Sequence, residues 1–491
     1  MTQSSVEPKT ASEDAGSGSN VPAGRSWLDR YFHISERGST VATEIRGGVT
    51  TFMAMAYILL LNPLILGGKD VAGNVLSQPA LITATALAAA VTTLLMGFWG
   101  KVPLALAAGL SVSGVLSSQV IAVMTWPQAM AMCVAYGVII CLLVVTGLRE
   151  MIMNAIPLAI KHAITIGIGL FIAIIGFVKA GFVHENPAPG GGPVSLGPAG
   201  ELMGWPVLIF AVTLLLIFAL QARNVPGAIL IGIVAGTVIA MIVNAVADIP
   251  AKGAGAWFSG APELNGSAVS APDFSLIGEV SFSGWGDVGY ITITMIVFTL
   301  VLAGFFDAMA TIIGVGSEAN LADDKGRMPG LSKALFIDGA GGVIGGVGGG
   351  SGQTVFVESA TGVGEGARTG LSSVVTGAFF ALCLFFTPLT AIVPAEVASA
   401  ALVVIGAMMM QNAKHVDWSD RSVAIPVFLT VVLMPFTYTI TTGVAAGVIS
   451  YAVIKVAQGK AREVGAFMWG LTAIFVVYFA IHPIESWLGV G

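Results

Sequence analysis

Charge is scarce in this chain of 491 residues: 10% are Asp, Glu, Lys or Arg, 56% are hydrophobic, and mean hydropathy is +0.90. A soluble globular domain carries about 25% charged residues, so this composition excludes one and specifies an all-α polytopic membrane protein. Cysteine is almost as scarce. Cys133, Cys141 and Cys383 all lie in apolar runs, which suits buried thiols and excludes a disulfide or zinc framework. The five histidines are scattered without metal-ligand spacing. No lysine follows the glycine-rich run, and no Ser/His/Asp constellation is present, so neither a phosphate loop nor an enzyme is indicated, and no cofactor is expected. The net charge of −6 says little about partners, because in a membrane chain the placement of charge matters more than its sum.

What is present is a series of apolar segments between polar punctuation. Met1 to Gly24 is rich in Ser, Gly, Ala and Pro without an apolar centre, the pattern of a disordered tail and not of a signal peptide. Residues 25–40 follow, with Trp27, Leu28, Tyr31 and Phe32 on one helical face; this suits either a helix on the membrane surface or an ordinary packed one. The apolar segments then fall near 45–66, 79–98, 102–121, 127–147, 155–180, 205–222 and 226–247. After a polar stretch at 248–284, seven more fall near 290–315, 331–347, 353–367, 369–388, 391–411, 422–438 and 440–457. A last one at 466–484 has no counterpart, and either crosses the membrane or lies along its interface.

The expected division is therefore a tail and surface helix at 1–40, a first repeat at 41–247, an extracellular loop at 248–284, a second repeat at 285–460 and a C-terminal hydrophobic segment at 461–491. With the N-terminus in the cytoplasm, all of the 21 basic residues except Lys69, Lys179 and Lys252 fall on the cytoplasmic side. Two sets of seven segments enter the membrane with opposite topology, the pattern of inverted-repeat transporters.

Corresponding third segments carry the interruptions. In the first repeat, VPLALAAGLSVSGVLSSQ is broken by Gly109, Ser111, Ser113 and Gly114; in the second, the run from Gly341 to Gly370 is broken by glycines and carries Glu358. Too few residues separate Gly352 from Arg368 for one plain crossing helix, which needs about 20. The alternation of Gln353, Thr354, Val355, Phe356 and Val357 suits a short extended piece, with a half-helix from Ser359. Paired interruptions point to a midplane site. An ionisable group there costs about 2.5–3.5 kcal/mol and marks a pathway or a binding site. The Gly341, Gly345, Gly349 register also favours close packing.

A second carboxylate, Asp307, lies in the apolar run FTLVLAGFFDAMATIIGVG with no basic residue within a turn or two. Two carboxylates facing one cavity repel when both are ionised, so one of them is expected to take up and release a proton. Asp338, beside Lys333, reads as an interfacial salt bridge or cap; Glu365 and Arg368 read as structural or gating residues; Met408 to Met410 read as packing and not as a site.

The runs LDRYFHISERGSTVATEIRGGVTTFMAMAYILLLNP, FFDAMATIIGVG, VESATGVGEGARTGLSSVV and VAIPVFLTVVLMPFTYTITTGVAAGVISY resemble the nucleobase:cation symporter family, in its adenine/guanine/hypoxanthine permease-like branch, from about Leu28 to Lys460. The resemblance implies about 14 segments in two inverted repeats, short strands in segments 3 and 10, and a core domain of segments 1–4 and 8–11 against a gate domain of segments 5–7 and 12–14. It matches Glu358 to a glutamate that holds the base and serves proton coupling, and Asp307 to an aspartate that faces the base. It also implies backbone contacts to the base around Val357 and Ser113, and a homodimer through gate-domain contacts. Three positions depart from the branch: Gly304 where an additional aspartate is usual, GSGQTVFVES where the run is richer in threonine and serine, and Ser113 where asparagine is usual. Each change removes a polar group near the expected site.

The resulting expectation is a carrier that brings a purine nucleobase across the cytoplasmic membrane with a proton, Na+ being the other ion left open. Its substrate-binding residues are expected to be Glu358, Asp307, Val357, Ser113, Gln353 and Thr354, with Glu358 and Asp307 coupling the proton. The partners are the base, the ion and the bilayer, and no nucleic acid. The competing readings are an anion carrier or channel of the same architecture and a base sensor that moves nothing; the acidic residues in the broken segments, without a basic one nearby, weigh against the anion.

Overall fold

Backbone groups in a hydrocarbon layer must be satisfied within the protein, so an apolar chain of this kind resolves into helices wherever it faces lipid. The computed structural model describes residues 26–148, 156–186, 192–197, 200–247, 249–250, 255–257, 261–263, 267–318 and 330–488. The expected tail and parts of the 248–284 loop, including Asp248 and Lys252, lie outside the described residues.

The order of elements repeats. Helices Val41–Met55 and Ile58–Leu66, joined by a turn at Ala56 and Tyr57, are followed by Gln78–Leu95, the strand Leu106–Ala108, the short helix Leu110–Val115, and helices Trp126–Val145, Leu158–Lys179, Trp205–Ala222 and Ala228–Val246. The second half runs Tyr290–Glu318, Leu331–Val347, the strand Gln353–Val355, the short helix Ser359–Gly364, then Gly370–Cys383, Ala395–Met409, Arg421–Thr437 and Ile440–Ala457. Among the described residues, eight helices are long and apolar enough to cross a membrane, the first being the joined span Val41–Leu66. The last segment forms one helix, Ala466–Leu488, which packs on Ile440–Ala457 and places Phe475 5.7 Å from Phe298.

The two central strands pair antiparallel, Leu106 with Val355, Ala107 with Thr354 and Ala108 with Gln353. The strand of the first half and that of the second thus run in opposite directions. A second small ladder, Val183–Glu185 with Val194–Leu196, lies in the connection after helix Leu158–Lys179.

Glycine decides the helix crossings. A Cβ on Gly137 would lie 2.6 Å from the nitrogen of Val343, and one on Gly342 would lie 2.8 Å from the Cα of Gly137, so helices Trp126–Val145 and Leu331–Val347 meet backbone to backbone. The glycine stripe foreseen at Gly341 and Gly345 takes a strand instead of a helix. A Cβ on Gly345 would sit 1.8 Å from the carbonyl oxygen of Ser351, and one on Gly341 would sit 2.7 Å from that of Gln353.

Close glycine contacts of this kind also seat Val41–Met55 and the turn after Gln78–Leu95 on Gly370–Cys383, through Gly48 and Gly97. Elsewhere they seat Leu158–Lys179 on Ala395–Met409, through Gly169 and Gly406, and Arg421–Thr437 on Ile440–Ala457, through Gly443.

The ends of the bundle differ. At one, Arg37 donates to the carbonyls of Lys101 (2.6 Å) and Arg368 (3.1 Å), and Arg46 pairs with Glu365 at 2.9 Å. The buried Glu44 accepts from the backbone nitrogens of Arg368 and Thr369, tying down the start of helix Gly370–Cys383. Helix Trp27–Phe32 lies here, with Phe32 buried beside Leu371 and Trp27 exposed. At the other end, the 267–284 stretch caps the helices through backbone bonds from Ser270 to Phe385, Gly278 to Val347 and Ser281 to Pro127.

Gly137→Val is expected to lower stability by more than the roughly 1–3 kcal/mol of ordinary overpacking, since backbone cannot move aside, and to reduce folded yield in a detergent melting assay. Gly470→Ala, with nothing within 4 Å of its Cβ, is expected to leave the melting temperature unchanged or slightly raised.

Candidate functional site

A strand pair buried in a helical membrane protein has outer edges whose N–H and C=O groups find no water, and each unpaired group costs on the order of 2–7 kcal/mol. Both edges are met by side chains from the preceding helix of each half. Thr93 Oγ1 accepts from Leu106 N at 2.9 Å and donates to Leu106 O at 2.8 Å. Asp338 Oδ1 accepts from Val355 N at 3.3 Å and from Thr354 Oγ1 at 3.0 Å. Leu106 and Val355 are partners in the ladder, so the two halves solve the same problem at the same register.

The expectation of an interfacial salt bridge or cap at Asp338 is therefore corrected. Its carboxyl is 2% exposed and belongs to the strand, because the glycine-lined helix brings it within reach of the Thr354–Val355 backbone.

A second buried network joins the two broken segments. Asn62 Nδ2 donates to Gly350 O at 2.9 Å and to Thr85 Oγ1 at 2.8 Å, and Asn62 Oδ1 accepts from Ser113 Oγ at 2.7 Å. Ser113 Oγ also lies 2.8 Å from Ser351 Oγ. Ser351 has φ 69°, a left-handed conformation that a non-glycine residue holds only when its surroundings over-determine it. Gln353 donates to Ser351 O at 3.0 Å, closing the turn.

In front of this framework lies a cavity of about 370 Å³, within the range of small-molecule sites. Its inner wall is formed by Tyr57, Leu110, Ser111, Phe356, Val357 and Glu358, and Thr311 of helix Tyr290–Glu318 also lines it. The facing wall comes from Ile172, Ile405, Met408 and Met409, and the cavity reaches the exposed Gln411, Lys414 and His415. Glu358 directly precedes helix Ser359–Gly364 and is buried, and its Oε1 accepts a hydrogen bond from the Tyr57 hydroxyl. The phenol is itself buried, at the turn between the two helices of the first span, with Phe356 at 6.5 Å ring to ring. Ser359 Oγ accepts from Ala105 N at 3.0 Å, fixing the half-helix to the opposite strand.

Of the residues singled out from sequence, Glu358 and Val357 line the cavity. Ser113, Gln353 and Thr354 stand behind it, buried in the networks that hold the strands. Asp307 lies on helix Tyr290–Glu318, but its side chain is outside the described residues. Thr311, four residues further on in the same helix, lines the cavity. Met408 and Met409, read as packing, form cavity wall as well.

Sequence reading missed Tyr57, Asn62 and Thr93. All three sit in continuous apolar runs, and the only local signal was a polar atom where the helix pattern needed none. Elsewhere, Arg368 uses its side chain on the carbonyls of Val363 and Ala367 at 2.7 Å each, a cap on the short helix.

The profile of the Permease family, Xan_ur_permease, matches residues 42–446. The chain is 35% identical over 458 residues to the guanine/hypoxanthine permease PbuG of Bacillus subtilis, covering 92% of this chain and 99% of that one. It is 34% identical over 459 residues to the adenine permease AdeP of Escherichia coli, covering 93% and 96%. Among solved structures, the transmembrane domain of the cyanobacterial bicarbonate transporter BicA superposes with a TM-score of 0.58 at 17% identity, over 82% of this chain and 97% of that one. The murine anion transporter Slc26a9, in an inward-facing state, gives 0.59 at 12% identity, over 85% and 68%. At these identities the likeness is one of fold.

Thr93→Val keeps the shape of the side chain and removes both of its bonds to Leu106. The loss is expected to be about 1–3 kcal/mol, read as a lower melting temperature of the purified protein.

Proposed function

The chain belongs to the Permease family, whose profile spans most of its length, and on that premise we propose that it carries a purine nucleobase into the cell together with a proton. It is a multi-pass membrane transporter and not an enzyme, as its family membership states. The observation that carries the finer reading is the placement of Glu358: a buried carboxylate at the head of a half-helix, hydrogen-bonded to Tyr57 and facing a cavity of about 370 Å³. A carboxyl group in such a place binds the polar edge of a planar heterocycle and exchanges a proton with the solution as the cavity opens. Asp307, on the same helix as the cavity-lining Thr311, serves the other edge of the base and is the second proton candidate. Val357 contributes its peptide; Ser113, Gln353 and Thr354 hold the strand pair on which the site is mounted.

Fourteen segments in two inverted repeats account for the repeated element order, with the broken third and tenth segments meeting at their strands. The set of helices that encloses the strand pair acts as the core, and the set containing Leu158–Lys179 and Ala395–Met409 acts as the gate. Rocking of one against the other alternates access. With the N-terminus in the cytoplasm, as the distribution of Lys and Arg favours, the mouth at Lys414 and His415 faces inward. Bicarbonate or another anion is the less suitable cargo, because a carboxylate stands where the anion would lie.

The test is uptake of labelled hypoxanthine, guanine, adenine, xanthine and uracil into proteoliposomes with and without an inward proton gradient. Gradient-driven uptake of a purine is expected, and Glu358→Gln is expected to reduce it to the level of empty vesicles. Folded, inserted protein that moves no base under any gradient would overturn the reading and turn attention to anion flux. If gradient-driven uptake survives Glu358→Gln, the proton site lies elsewhere, with Asp307→Asn the next variant.

A further inference from the structure

A carrier that alternates access holds its two parts together at one end while they stand open at the other. The open end is marked by the cavity mouth at Lys414 and His415. Helix Arg421–Thr437 begins just after that mouth and, with its 17 residues, runs roughly 25 Å before the chain turns into helix Ile440–Ala457. Thr441, in the first turn of the latter, therefore lies toward the opposite end of the bundle. Thr299 lies toward the same end, early in helix Tyr290–Glu318, which follows the capping stretch at 267–284.

At this end a chain of polar side chains crosses between elements whose main packing lies elsewhere. Helix Tyr290–Glu318 packs on Trp126–Val145 and on the short helix Leu110–Val115, whereas Ile440–Ala457 packs on Arg421–Thr437 and Leu158–Lys179. Thr441 Oγ1 donates to Gln119 Oε1 at 2.9 Å, in the turn that follows Leu110–Val115, and lies 2.7 Å from Thr299 Oγ1. Both threonines are buried, and Phe298, next to Thr299, is covered by Phe475 of the last helix.

Two features set this chain apart from a permanent staple. A hydroxyl group has one hydrogen. With that of Thr441 on Gln119, the Thr299 hydroxyl donates to Thr441, and Met295 O, 2.8 Å away in its own helix, takes the hydrogen when Thr441 leaves. Gln119 Nε2 is buried and, among the described residues, has no partner. Closing this end strands an N–H, and opening it returns that group to water. The bonds made on closing are thereby offset in part, which brings the closed and open states closer in energy.

We propose that Gln119, Thr299 and Thr441 form a latch that closes the outer side of the carrier while the mouth at Lys414 and His415 is open, and that the latch parts when the carrier turns outward. The proposal rests on the alternating-access reading above and names the side chains that hold one of its two states. Removing the latch shifts the population toward the outward-facing state, because only the inward-facing one makes these bonds.

The test has two arms. In a Thr299→Cys, Thr441→Cys chain the thiols stand where the hydroxyls meet, and oxidation joins them. The joined protein is expected to lose uptake of labelled hypoxanthine in proteoliposomes and to regain it with dithiothreitol. Complete joining with uptake unchanged overturns the proposal, since a contact that never parts tolerates the bond. The second arm needs no cargo. Spin labels are placed at Tyr290→Cys and Thr437→Cys, exposed positions on either side of the junction, in a chain whose Cys133, Cys141 and Cys383 are replaced by alanine. Thr441→Val is expected to raise the ratio of a longer to a shorter label distance about fivefold, the value of one hydrogen bond. Thr299→Val, expected to act in the same direction, serves if that variant fails to insert. An unchanged distance distribution in the folded variant overturns the latch. Failure of every purine to enter with the native protein would overturn the transport reading instead, and the label distances would still decide the latch.

Discussion

The interaction on which the rest of this structure depends is the satisfaction of two short strands placed where there is no water. Extended backbone at that depth is tolerated only inside protein, and here every edge has a named partner. Thr93 meets Leu106, Asp338 meets Val355, and the two strands meet each other. Once those bonds are fixed, the half-helices that follow, at Leu110–Val115 and Ser359–Gly364, are fixed in direction, and with them Ser111 and Glu358 at the cavity wall. The polar cost of breaking two helices in a membrane is thereby offset locally, within each repeat, by one side chain from the helix before.

The glycines are the second condition of the same arrangement. Strand Gln353–Val355 reaches Asp338 only because Gly341 and Gly345 let the chain lie directly on helix Leu331–Val347. On the neighbouring face, Gly342 and Gly346 admit helix Trp126–Val145 equally closely. One glycine-rich helix therefore presents two contact faces, one to a strand and one to a helix. Side chains on either face would push the strand out of reach of its acceptor, and the site would lose its position before it lost any of its chemistry.

Legibility in the sequence followed the same physics. The apolar segments, the broken third segment of each half and a carboxylate at Glu358 inside an apolar region could be read locally, because hydrophobic length, glycine and a carboxylate in an apolar run are one-dimensional signals. The extended piece at Gln353 to Val355 was visible as alternation, and the structure places a strand there. Asp338 was misread because its lysine neighbour in sequence suggested an interface, whereas its partners come from a strand folded back over the helix. Ser113, Gln353 and Thr354 were expected among the substrate-binding residues, Ser113 through its peptide as the resemblance implies; in the structure their side chains bond to Asn62 and Ser351, to Ser351 O, and to Asp338 respectively. Tyr57 and Asn62 were invisible, since a single polar atom in an apolar helix gives no periodic signal.

By itself, the sequence determined that this is a membrane protein, where its apolar segments lie, and which two segments break. Those properties depend on composition and spacing along the chain, and the bilayer reads them residue by residue. Only the tertiary structure decided what each polar atom in the broken segments serves. A hydroxyl or carboxyl group in a dry interior must be paired, and its partner is set by which backbone edge arrives within about 3 Å. For Thr93 and Asp338 that edge belongs to the frame. Glu358 accepts from Tyr57 instead, beside an open cavity.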